Sequence, residues 1–216
     1  MADFHATSQM LHAEMLSIAE TLKASFHDWP GMLLATLFHD IIYDPTSSEN
    51  EELSARYMLD FFEGCRENTK LADTLKHAAA AILCTKSHNT KGNTTVQHDV
   101  YGTVDNSAIG KSAAVLHDVQ LLLDCDMAIL GAGQSRYAQY CGQVREEFAH
   151  FTDTEFAVGR LQFLEGLVRS DDSSLPIFGN SNMRALYEDQ AARNVAHEIC
   201  CIKESAAFRG PSTHAE

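Results

Sequence analysis

Apolar residues recur along this chain at steps of three and four, and nowhere at any length in the two-residue alternation that a half-buried strand requires. Leu11, Met15, Ile18 and Leu22 make one such seam. Leu71, Leu75, Ala78 and Ile82 make a second, and Val115, Val119, Leu122, Asp126 and Ile129 a third. Met183, Leu186, Val195, Ile199 and Ile202 lie along the last. The spacing predicts an all-α fold of seven to eight helices, over about 9–23, 29–44, 49–64, 70–86, 112–131, 134–149, 154–169 and 184–203.

With 216 residues and no Pro/Gly/Ser-rich linker, one domain over 1–216 is expected, its core spanning about 8–202. Residues 87–111 are polar and rich in Gly, Asn and Thr, which predicts a long loop of the kind that serves as a functional lid. Asp28 is the expected N-cap of the second helix, with Pro30 in its first turn. Pro45 is expected to stop that helix at Asp44. Ser48-Glu49-Asn50-Glu51 has capping-box form and is expected to start the third helix.

A formal charge of −14 opposes any role that follows a nucleic-acid polymer, which needs a basic face. It leaves room for a small phosphorylated substrate held by a metal. No run of apolar residues is long enough for a membrane span, and no charged-then-apolar signal segment stands at Met1. The six cysteines form no C-x-x-C pair and mostly fall in apolar helical patterns, so free buried thiols in a reducing, cytoplasmic setting are expected.

Leu33-Leu34-Ala35-Thr36-Leu37-Phe38-His39-Asp40-Ile41-Ile42-Tyr43-Asp44 is apolar on nearly every side, and therefore expected in the middle of the fold. It carries an adjacent His and Asp. Burying either without a partner costs several kcal/mol, and a shared metal ion is the simplest compensation. Three other His-Asp pairs occur, but each has a plainer reading. His27-Asp28 is a helix cap, His98-Asp99 lies in the polar loop, and His117-Asp118 is expected partly exposed.

His12 borders the first seam, and Asp126 occupies a core position on the fifth helix, where a carboxylate needs a cation. His12, His39, Asp40 and Asp126 together offer two imidazoles and two carboxylates from three helices. Such a set suits a divalent ion: Mn, Fe, Co, Ni, Zn or, less well, Mg. With open positions, that ion activates water for hydrolysis. Asp124 competes with Asp126 for the fourth place, and the seam favours Asp126.

The order His…His-Asp…Asp on an all-α chain resembles the HD superfamily of metal-dependent phosphohydrolases. More narrowly, four stretches look like the predicted HD-superfamily phosphohydrolases of bacteria and some eukaryotes. They are Phe38 to Pro45, Asn50-Glu51-Glu52-Leu53-Ser54-Ala55, Leu123-Asp124-Cys125-Asp126-Met127-Ala128-Ile129-Leu130-Gly131, and Glu188 with Arg193-Asn194. The resemblance implies an HD-type helical bundle and a divalent metal held by His12, His39, Asp40 and Asp126. It implies a catalytic His88 after the fourth helix, and either a hydrolase of small phosphorylated molecules such as nucleotides or, on related scaffolds, a dinuclear-iron oxygenase.

From the residues, Glu51 is a candidate general acid/base or a helix-end carboxylate. Lys86, Arg160 and Arg193 are candidate phosphate binders, each with a structural alternative. His77 is expected to be structural, although a second metal site using His77 or His88 would resemble the dinuclear branch of the superfamily. A regulatory protein that binds metal or nucleotide without turnover is the reading from a different class. An all-helical chain with this much apolar surface can also form a homo-oligomer.

Overall fold

The computed structural model describes residues 2–65, 69–86, 113–168 and 176–208. Among them are eight α-helices of ten residues or more and no strand. They are α1 (Ala2–Thr21), α2 (Trp29–Phe38), α3 (Asn50–Phe61), α4 (Thr69–Thr85), α5 (Ala113–Asp126), α6 (Gln134–Glu147), α7 (Asp153–Val168) and α8 (Asp189–Phe208). The protein is all-α, as the apolar spacing requires. The helices pack in two compact units, Met1–Met127 and Ala128–Glu216. No helix among the described residues is long and apolar enough to cross a membrane. The 87–111 loop, with His88 and His98-Asp99, lies outside the described residues.

In the first unit α4 carries α2 and α3, and α1 packs on α2 and α5. The buried side chains Met15, Ala19, Met32, Ala35, Met58, Leu75, Ile82 and Leu122 fill the space between them. Asp28 caps α2 as expected, its carboxylate accepting the Gly31 N–H at 3.1 Å. The helix is shorter than Pro45 alone suggests, because it ends at Phe38. The Ile41 N–H closes a tight turn on the Phe38 carbonyl. Ile42 then exchanges hydrogen bonds with the Ser54 hydroxyl, and Asp44 with the Asn50 amide. These side chains of α3 take the backbone groups that further turns of helix would have used. The stretch is not buried all round either, since Leu37 and Ile41 are exposed.

The capping box does not form. Glu49 is the N-cap of α3 without a side-chain hydrogen bond, and Asn50 turns back to Asp44 instead. In the second unit a π-helical turn, Arg184–Glu188, precedes α8. Its wider turn shifts the register, which turns Leu186 out to solvent while Met183 and Val195 stay fully buried. The described cysteines are all free, but Cys200 and Cys201 are exposed rather than buried.

Candidate metal centre

Thr36, in the last turn of α2, is fully buried, and its carbonyl has lost the helical donor it would have had in a longer helix. Two imidazoles take that place. The His39 Nδ1–H donates to the Thr36 carbonyl at 3.0 Å, and His12, reaching over from α1, donates through Nε2 to the same oxygen. The two rings lie 4.8 Å apart between centroids. With Nδ1 committed to the carbonyl, the tautomer of His39 follows: Nε2 holds the lone pair and faces away from the helix.

Facing that Nε2 are Asp40 Oδ2 at 3.4 Å and Asp126 Oδ1 at 3.7 Å. His39 itself is 4% exposed, so the nitrogen looks into a confined space rather than into bulk water. Burial and the neighbouring His39 together push the His12 imidazole below its usual value, and Asp40 and Asp126 oppose that push only in part. His12, His39, Asp40 and Asp126 are thus within electrostatic reach of one another, all in the first unit. The set is a nitrogen–oxygen donor group of the kind first-row divalent cations accept. Using His12 through Nε2 would require it to leave the Thr36 carbonyl.

The competing carboxylate, Asp124, points elsewhere. It is 1% exposed and accepts a hydrogen bond from the Gln120 amide at 2.9 Å. Cys125, between the two acids, is buried, and burial with both neighbouring charges pushes its thiol up to about 12. Glu51 stands half-buried in the first turn of α3.

The candidate phosphate binders are engaged within the protein. Lys86 pairs with Glu52 and the Ser48 carbonyl, and Arg193 holds Gln190. Arg160, 8% exposed, makes a two-pronged pair with Glu198. Two further motif residues brace the second unit. Glu188 accepts the Ile177 and Phe178 N–H groups, and the Asn194 amide donates to the Leu130 and Ala132 carbonyls.

The expectation that His117-Asp118 is partly exposed fails for the carboxylate. Asp118 is fully buried, held by the N–H groups of His27 and Asp28 just before α2. Residue spacing along α5 could not reveal this, because the donors come from a distant loop. Asp28 in turn meets His77 Nδ1 at 3.0 Å, which gives that histidine a structural place.

Comparison with family models, with curated proteins and with solved structures finds no match to this chain. At its most general, the fold and this cluster define an all-α protein with a sheltered His/Asp group between α1, the end of α2 and the end of α5.

Proposed function

We propose that the protein is a metal-dependent hydrolase of a small phosphorylated substrate such as a nucleotide. The observation that carries this reading is the position of His39 Nε2, 3.4 Å from one carboxylate and 3.7 Å from another, with its other nitrogen tied to a backbone carbonyl. A tautomer fixed in that way, with the free nitrogen turned towards carboxylates, is how proteins prepare an imidazole for a cation. His39, Asp40 and Asp126 would hold the ion, with His12 completing the set. A bound divalent ion supplies an acidified water and polarises a phosphoryl oxygen.

The chain's own residues do the rest. Asp40, on the turn after α2 and 36% exposed at its side chain, has room to swing onto a ligand. Glu51 is assigned the acceptance of a proton from the attacking water, and His88 the protonation of the leaving group. The charge of −14 accords with a small substrate bound through a cation rather than with a polyanion bound through a basic face.

The test is elemental analysis of the purified protein, followed by a panel of phosphate mono- and diesters. At least one Mn, Co, Ni or Zn per chain, with hydrolysis, is the expected result. Asp40→Ala should abolish the activity together with the metal held beside His39, and an unchanged metal content with unchanged activity would refute the site. Two irons per chain would point to oxygen chemistry instead. No metal after loading would leave a binding protein without turnover.

A further inference from the structure

Two imidazole nitrogens and a backbone N–H converge on Asp118 Oδ1. The His27 backbone N–H reaches it at 2.9 Å, His27 Nδ1 at 2.9 Å and His117 Nδ1 at 3.4 Å. The His27 N–H is shared with Oδ2 at 3.1 Å, which leaves Oδ1 facing the two rings. The two rings meet edge to face with centroids 5.1 Å apart, crowding two groups that would repel if both were protonated.

We infer that His27, His117 and Asp118 form a second cation site, for a single zinc-like ion, separate from the cluster around His39. One Lewis acid in place of the ring protons would take both Nδ1 atoms and Oδ1 as ligands. The ligand atoms of the three residues all lie within 4.8 Å of one another, a closeness that the His39 cluster does not reach among the described residues. In a tetrahedral zinc site, bonds of about 2.0–2.1 Å place neighbouring ligand atoms about 3.4 Å apart. The His117–Asp118 separation already has that value, at 3.4 Å. The His27–Asp118 separation, 2.9 Å, needs to open by only about half an ångström for the same geometry.

The carboxylate is also prepared for the role. Asp118 is fully buried, and its Oδ2 accepts the Asp28 N–H at 2.8 Å and the His27 N–H at 3.1 Å. Outer hydrogen bonds of this kind orient a ligating oxygen. The histidines stay accessible, with side chains 55% exposed for His27 and 39% for His117, so an ion can reach them and keep a water as its fourth ligand. Two imidazoles and one carboxylate favour Zn²⁺ over Mg²⁺ or Ca²⁺, which prefer all-oxygen sites.

The site is not half of a dinuclear centre. Asp118 and Asp126 are two turns apart on α5, about 12 Å along its axis. Paired catalytic metals sit about 3.5–4 Å apart. The ion would tie the segment that caps α2 to the side of α5, and its role is to hold that junction together.

The experiment measures zinc per chain after loading and desalting, in an Asp40→Ala background that silences the other cluster. About one zinc is expected there, and none in the same background with His117→Ala or, separately, with His27→Gln. Helical circular dichroism confirms that each variant is folded. Zinc at a hundredfold excess over its Kd should raise the melting temperature of Asp40→Ala by about 5–10 °C, and leave the two double variants unchanged. An Asp40→Ala protein without zinc would overturn the inference, as would double variants that keep as much as their parent. Wild-type protein whose only zinc disappears with His117→Ala and persists in Asp40→Ala would uphold this site and refute the one proposed above.

Discussion

Asp126 Oδ1 lies 3.7 Å from His39 Nε2, whereas Asp124, two residues earlier on α5, is turned to the Gln120 amide. One helix therefore sets two acids in different surroundings. Asp126→Ala should lower metal occupancy with little effect on folding, since its side chain is 22% exposed. Asp124→Ala should retain metal but lose about 1.5–3 kcal/mol of stability, the usual worth of a hydrogen bond to a charged group. Metal analysis and urea denaturation of both variants separate the two outcomes, and metal loss confined to Asp124→Ala would reverse the assignment.

Asp118 takes the backbone N–H groups of His27 and Asp28 at the start of α2. Those donors have no other partner if the carboxylate goes. In metal-free protein, Asp118→Ala should cost about 3 kcal/mol or more, because hydrogen bonds to a charged acceptor are among the stronger ones. Denaturation followed by the helical signal measures it. A cost below about 1 kcal/mol would mean that water replaces the carboxylate easily.

The all-α class was open to sequence reading because seams at three- and four-residue steps are a local property. The Asp28 cap was equally local. What the sequence hid lies in partners from far along the chain. Nothing near Ile42 announces that Ser54 will take its backbone groups, so the end of α2 was placed too late. The seam puts Asp126 deeper in the core than Asp124, yet Asp124 is the more buried of the two. The geometry beside His39, rather than depth, distinguishes them. Asp118 escaped notice for a related reason: its burial depends on two N–H groups arriving from the loop before α2.

In the second unit Glu198 receives Arg160 through two hydrogen bonds, at 2.8 and 3.2 Å, and also the Tyr137 hydroxyl. Burial alone would raise the Glu198 carboxyl, but Arg160, Tyr137 and Cys141 bring it below its ordinary 4.5. A carboxyl depressed on folding stabilises the fold above its unfolded value and loses that contribution as pH falls through the folded one. Stability should therefore be flat with respect to this group above about pH 5, and decline below about pH 4.5. Arg160→Met should cost about 3–5 kcal/mol at neutral pH, since it leaves a buried charge uncompensated. In that variant burial raises the Glu198 carboxyl instead, so protonation relieves the uncompensated charge and this group's acid-side decline should vanish or reverse. Denaturation midpoints from pH 3 to 7 test both statements, and identical pH profiles for the two proteins would exclude the pair as their cause.

Gly131 is pressed against the backbone of the π-helical turn. A Cβ placed there would fall 2.6 Å from Tyr187 Cβ and 2.8 Å from the Tyr187 carbonyl oxygen, so main chain rather than a flexible side chain would have to move. Gly131→Ala should cost about 1–3 kcal/mol by overpacking. The turn around Gly131 is also held by Asn194, whose amide donates to the Leu130 and Ala132 carbonyls, each at 2.8 Å. Asn194→Ala should cost a comparable amount by leaving the buried Leu130 carbonyl without its donor. Because both changes act on one short turn, they should not add: once Asn194 is gone, the turn can yield to the new methyl, and the double variant should be more stable than the sum of the single losses by about 0.5 kcal/mol or more. Urea denaturation of the four proteins in the cycle measures that coupling. Strict additivity would mean that Tyr187 and Asn194 constrain the turn independently.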